Sequence, residues 1–188
     1  MSRRIAVLSV QGAFIEHEKR ISELGGGVLE LRKNTDILKS YDGLILPGGE
    51  SSVQGKLIRE LGMYDALKEQ IEGGMPVLAT CAGLILLAGT ISNDQRRHLA
   101  TLPITVKRNA YGRQIDSFYM KASFGEMENV PMEFIRAPFI ESVDDDEVKV
   151  MSVVDGNIVA VQYKNQLAMS FHPELCGDNR IHEYFLNI

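Results

Sequence analysis

The chain has 188 residues, 45% of them hydrophobic and 24% charged. That is ordinary globular usage, and a chain of this length buries roughly 70% of its unfolded surface without disulfide or metal staples. Twenty Lys and Arg against 25 Asp and Glu give a net charge of −5. The basic residues are scattered, which argues against a nucleic-acid partner, and no apolar run is long enough to span a bilayer. Two cysteines, Cys81 and Cys176, can build neither a disulfide framework nor a C-x-x-C zinc site, and His17, His98, His172 and His182 show no paired metal spacing. The expectation is a soluble protein of the reducing cytoplasm, with no metal and no membrane partner.

The N-terminal stretch MSRRIAVLSVQGAF sets two arginines before an apolar run, but the run ends at Gln11 without a small-residue cleavage pattern. It reads as a first strand over 4–10, not as a secretion signal. An amphipathic helix follows over 13–25, stopped by Gly25-Gly26-Gly27, and then strands over 28–32 and 43–47. Residues 52–72 read as one or two helices ended by Gly73-Gly74, and Pro76 opens a strand over 76–80. The stretch AGLILLAGTI, 82–91, reads as a helix buried on most sides. This alternation is the pattern of a parallel sheet covered on both faces. Further on, EVKVMSVVDGNIVAVQYKNQLAMSF carries an Asp155-Gly156 turn and a polar turn near Asn165 between β-rich runs, which predicts antiparallel hairpins. DNRIHEYFLNI closes as a short amphipathic helix. No repeat, low-complexity tract or linker divides the chain, so 1–188 reads as one domain.

Cys81 falls directly after the strand 76–80, at the carboxyl edge where parallel α/β sheets bind ligands. A-T-C-A-G has the spacing of a nucleophile elbow, with Ala79 where glycine is usual. A helix opening at Ala82 would aim unpaired N–H groups at the sulfur, favouring the thiolate and offering donors to an oxyanion. By itself, a cysteine between two apolar runs reads equally well as a core thiol. SFHPEL, 170–175, supplies a candidate base in His172 and a carboxylate in Glu174 that would fix its tautomer, with Pro173 restraining the backbone between them. LPGGES, 46–51, is a second glycine-rich turn on the same sheet edge, suited either to close backbone approach to a substrate or to an ordinary turn in which Ser51 or Ser52 caps the next helix.

Taken together, PGGES, TCAGLILLA and SFHPE resemble the class I, triad-type glutamine amidotransferases. More narrowly, SVQGAFIEH, RNAYGRQIDSF (108–118) and FIRAPFI (134–140) resemble the glutaminase subunits of two-subunit pyridoxal 5′-phosphate synthases. The likeness runs over nearly the whole chain. It implies an α/β fold with a three-layer, flavodoxin-like core, a mostly parallel central sheet flanked by helices, and an antiparallel extension in the C-terminal half. It implies Cys81 as nucleophile, His172 as base and Glu174 as the residue orienting it. Gly48, Gly49, Glu50, Arg108, Ile135 and Arg136 are implied to contact L-glutamine. Gly49, Ala82 and Gln11 are implied to lie at the oxyanion region, Gln11 also near the partner interface. No cofactor is implied. The implied partner is a synthase subunit, a barrel enzyme with a dodecameric core that takes up the ammonia. Tyr119 and Cys176 depart from the family's usual residues, and neither falls in the implied triad. Two other readings stay open at this stage: an amidotransferase subunit of another pathway, and a non-catalytic or redox-sensing flavodoxin-like protein in which Cys81 is a reactive thiol.

Overall fold

The computed structural model describes residues 3–110 and 117–188. Its centre is a 10-stranded sheet. The first strands are β1 (Arg4–Leu8), β2 (Gly27–Leu31), β3 (Gly43–Leu46) and β4 (Val77–Thr80), all mutually parallel in the order β2-β1-β3-β4. The crossovers run through α1 (Phe14–Glu23), the short α2 (Asn34–Ile37), α3 (Ser51–Glu60) and α4 (Tyr64–Glu72). The segment 52–72 resolves into two helices because Gly62, at φ 68°, reverses the chain between them. Strand β1 splits its side chains between two cores. Ala6 and Leu8 join Ile58, Leu67 and the helix after Cys81 on one face, while Ile5 and Val7 join Ile21, Ile181 and Phe185 on the other. All four residues of β3 and of β4 are buried, as strands covered on both faces require.

The apolar stretch 82–91 departs from expectation. Only α5 (Ala82–Leu87) is helical, with all six residues buried; Ala88–Ile91 is a strand, β5, pairing in parallel with β6 (Leu102–Lys107). Gly89, Thr90 and Ile91 are poor helix formers, and at Ala88 the backbone turns extended (φ −56°, ψ 134°). The Leu86 carbonyl is instead capped by Leu99 N–H at 2.9 Å.

The second half is antiparallel. β7 (Ser117–Phe124) and β8 (Met127–Ile135) form a separate hairpin. β9 (Phe139–Val143) pairs with β6, and β10 (Lys149–Val154) pairs with β11 (Asn157–Tyr163) across the Asp155-Gly156 turn. β12 (Gln166–Met169) turns back antiparallel to β11 yet lies parallel to β4, so it joins the parallel core to the extension. A 3₁₀ turn (Pro173–Leu175) and α6 (Arg180–Leu186) end the chain. Phe124, Val130, Met132 and Phe134 of the β7–β8 hairpin pack with Phe171 and Phe185, which lays the hairpin against the sheet face that also carries α1 and α6. None of the described helices is long and apolar enough to cross a membrane.

Candidate functional site

The carboxyl ends of β1, β3, β4 and β12 converge, and each delivers one piece of a cavity of about 490 Å³. Gln11 comes from the loop after β1, Gly48 and Gly49 from the turn after β3, Cys81 from the end of β4 and His172 from the segment after β12. Glu50, Arg108, Ile135 and Arg136 also line it. This is the crevice of a doubly wound sheet, where chain reversal leaves the strand ends open to a ligand.

Cys81 sits at φ 47°, ψ −99°, a conformation that L side chains rarely adopt. It is held there from both sides. Cys81 N–H donates to the Met169 carbonyl at 2.8 Å, and two residues on, a Cβ at Gly83 would stand 2.1 Å from the Leu46 carbonyl oxygen. Only glycine lets α5 start so close to β3. Ala82 therefore opens α5 with an N–H that has no partner within the helix. The sulfur lies 4.0 Å from the Ile135 carbonyl oxygen, at the end of β8. The next residue, Arg136, is a second strained position, at φ 42°.

His172 Nδ1 lies 2.7 Å from Glu174 Oε1, both side chains buried. Because an ionised carboxylate only accepts, Nδ1 carries the proton and Nε2 is left to face Cys81. Burial would push the imidazole down, but hydrogen bonds to Cys81 and Glu174 outweigh it and hold His172 up at about 10. Burial likewise would raise Glu174, and His17 and His172 beside it outweigh that and hold the carboxyl below its ordinary range. Cys, His and Glu thus stand in line, with the histidine favouring its cationic form and the carboxylate its anionic form. The backbone of His172 is fixed by its N–H to the Glu133 carbonyl of β8 at 2.8 Å.

The turn after β3 is packed tightly against this line. A Cβ at Gly48 would meet His172 Cε1 at 2.3 Å, and Gly48 N–H donates to the Thr80 hydroxyl at 3.0 Å. Glu50 N–H donates to Gln11 Oε1 at 2.9 Å, and Gln54 bridges the loops after β1 and β3 by donating to the Gln11 and Pro47 carbonyls. Glu50, not Ser51 or Ser52, occupies the cap position of α3, and the buried Ser51 hydroxyl has no hydrogen-bond partner among the described residues. The capping reading of the serines is thereby corrected: the chain enters α3 from a turn whose geometry is set by Gln11 and Gln54.

Arg108 reaches the cavity from the end of β6. Its Nη1 pairs with Asp94 at 2.7 Å and Nη2 stands 3.9 Å from Glu50, while Asn93 pins its backbone at both N–H and carbonyl, each at 3.0 Å. Residues 111–116 of the RNAYGRQIDSF segment lie outside the described residues. Cys176 lies apart from the line; burial pushes its thiol up to about 11, and its sulfur donates to the His172 carbonyl at 3.4 Å. No group of side chains suited to a metal ion occurs among the described residues. Sequence reasoning left out Thr80, His17, Asn93 and Asp94. Thr80 and His17 both lie inside the quoted segments TCAGLILLA and SVQGAFIEH, but nothing local says that they meet.

Among solved structures, this architecture is that of glutamine amidotransferases. One, described as a glutamine amidotransferase, superposes with a TM-score of 0.92 at 38% identity over 97% of each chain. PurLQS from Thermotoga maritima shares the fold at a TM-score of 0.67 and 17% identity, covering 100% of this chain and 99% of its own. The chain belongs to the SNO glutamine amidotransferase family, whose model matches residues 7–188. Among curated relatives, the pyridoxal 5′-phosphate synthase subunit PdxT of Desulfitobacterium hafniense is 60% identical over 184 residues, 98% of this chain and 92% of its own length. The subunit of the same name from Streptococcus pneumoniae is 47% identical over 188 residues, 98% of this chain and 97% of its own.

Proposed function

We propose that this chain is the glutaminase subunit of a pyridoxal 5′-phosphate synthase: a single amidotransferase domain that hydrolyses L-glutamine to L-glutamate and passes the ammonia to a synthase subunit. The observation that carries this reading is the match, over 98% of the chain, to subunits of that name. The chemistry follows from the line Cys81, His172, Glu174. The Cys81 thiolate attacks the carboxamide carbon, and the developing oxyanion is met by backbone N–H groups of Ala82 and Gly49. His172 Nε2–H protonates the departing nitrogen, so ammonia leaves and a glutamyl thioester remains. Water then attacks the thioester, giving its proton to the same nitrogen, and glutamate departs as the thiol is restored.

Glutamine's zwitterionic end suits Arg108 and Glu50, which present opposite charges at the cavity wall, while Gly48, Ile135 and Arg136 shape the space around the side chain. Ammonia released into neutral water would mostly become ammonium and lose its nucleophilicity, which favours transfer within a complex. Ile15, Val53 and Leu175 are exposed apolar residues on the elements that rim the cavity, a face fit for the docking of a barrel-shaped synthase subunit, twelve of which would form the core of the assembly. Glutamate release should be measured with and without that subunit, for the native chain and for Cys81→Ala. Stimulation that disappears in the variant supports both nucleophile and partner. Activity insensitive to the synthase points to an amidotransferase of another pathway.

A further inference from the structure

Behind the Cys81, His172, Glu174 line lies a second row of buried polar groups that the chemistry above does not use. His17, from α1, and His182, from α6, are both fully buried. His17 Nδ1 lies 2.9 Å from His182 Nε2; His17 Nε2 lies 3.2 Å from Thr80 Oγ1 and 3.4 Å from Glu174 Oε2. Glu174 Oε2 makes no hydrogen bond among the described residues, and His17 Nε2, within ion-pair distance, stands beside it.

One set of tautomers leaves the row with the least costly defect. A lone pair on His17 Nε2 would face the Glu174 carboxylate, so Nε2 carries the hydrogen, directed at Thr80 with the carboxylate oxygen beside it. Nδ1 then accepts from His182 Nε2–H. That leaves His182 Nδ1 as a bare acceptor, and it is indeed without a partner among the described residues. The opposite assignment would strand a buried N–H there, the costlier defect. Burial keeps His17 below its ordinary range despite Glu174, and His182 well below it, so both imidazoles are neutral.

We propose that His17 is a positioning residue, whose Nε2–H braces the outer oxygen of Glu174 and, through the Thr80 hydroxyl that receives Gly48 N–H, ties the turn after β3 to the same support. The inference rests on the triad reading. It goes beyond it in giving α1 a part in the site: one buried side chain sets both the carboxylate that orients the base and the turn that flanks the oxyanion. The charged and titratable groups around Glu174 are His172 with Cys81 beyond it, His17 and Arg20 from α1, His182 behind His17, and Cys176 in its own turn. Of these, only His172 and His17 approach the carboxylate oxygens as ion-pair or hydrogen-bond partners.

The test is the pH dependence of Cys81 alkylation by iodoacetamide, read by mass spectrometry in the full chain carrying Cys176→Ser. The thiolate and imidazolium pair needs an ionised Glu174. Without the donor beside Oε2 the carboxyl takes up its proton at higher pH, so His17→Leu should move the acid limb upward by about one pH unit. His17→Asn reaches only the His182 side and should behave like Leu. His17→Gln, whose amide places acceptor and donor at about the spacing of the ring nitrogens, should stay near the parent. A merely structural role would lower stability in all three without moving the midpoint, and that result, or equal shifts in Gln and Leu, overturns the proposal. If none of the variants folds, the ¹⁵N shifts of the native histidines decide: His17 as the Nδ1–H tautomer refutes the assignment. Glutamine hydrolysis surviving in Cys81→Ala would instead refute the triad itself.

Discussion

Gly48→Ala isolates the contact between the turn after β3 and the base. Gly48 is not among the glycines at positive φ, so alanine is compatible with its backbone and the effect is steric. The new Cβ would stand 2.3 Å from His172 Cε1 and 2.9 Å from Nδ1, about 1 Å inside ordinary contact. Gly48 N–H is bound to Thr80 and its carbonyl receives Ala13 N–H at 3.0 Å, so the turn has little freedom to retreat. The imidazole must move, and a displacement of that size breaks the 2.7 Å bond to Glu174 or withdraws Nε2 from the sulfur. Misplacing a catalytic group by about 1 Å costs on the order of 100-fold in rate. Glutaminase kcat in the presence of the synthase subunit should fall by that factor, with KM changed far less, while thermal unfolding shows a folded protein. A folded Gly48→Ala with kcat within about threefold of the native value would refute the packing argument.

Cys176→Ser should keep glutaminase activity in the coupled assay, because burial keeps its thiol un-ionised at neutral pH and its hydrogen bonds run to backbone, at His172 and Glu133, which a serine hydroxyl can also make. Near-total loss in a folded variant would place the reactive sulfur at 176. Asp94→Asn removes the charge that anchors Arg108, so KM for glutamine should rise roughly tenfold with kcat nearly unchanged, and initial-rate kinetics separate the two. Stability should turn over with pH. His172 is raised in the folded state, so its contribution is fully present below 6.5 and lost as pH rises through about 10. His17 and His182 are lowered, so below 6.5 the unfolded chain binds protons that the folded chain does not, and stability falls by up to about 1.4 kcal/mol per pH unit for each. Urea unfolding between neutral and mildly acid pH checks this, and His182→Gln should remove about one proton's worth of the slope.

The alternation of strands and helices in the first half was legible because each element is local: β1 to β4 end within two residues of where their apolar runs end. The stretch 82–91 was not, because an unbroken apolar run carries no period, and only the non-local pairing of Ala88–Ile91 with β6 separates strand from helix. β6 and β9 went unassigned because their pairing with each other spans a long stretch of chain, and the local β7–β8 hairpin went unassigned as well. At the site, residue type and position brought Cys81, His172 and Glu174 to notice at strand ends, but left a core thiol equally open until the resemblance named their roles. Arg108, Ile135 and Arg136 were chosen through resemblance alone; no spacing marks them. His17 and Thr80 stayed silent because their meaning lies in each other, 63 residues apart.

The division of labour within the sheet explains why the antiparallel half is needed. The parallel strands alone supply the line of three side chains: β4 leads to Cys81, β12 leads to His172 and Glu174, and their parallel pairing sets the separation between the sulfur and the imidazole. They leave one wall of the cavity open. β8 closes it, receiving His172 N–H on the Glu133 carbonyl and bringing the Ile135 carbonyl up to the sulfur, with the strained Arg136 lining the cavity beyond it. The stacked rings of Phe118 and Phe134, 4.5 Å apart, stiffen that hairpin, and Phe134 also packs against Phe171, the residue before His172. The Ile135 wall of the cavity and the His172 imidazole are therefore held by the same aromatic cluster. A substitution that loosens it, well away from Cys81, would shift His172 and that wall together, so under the proposed chemistry kcat and KM should change together on that side of the site.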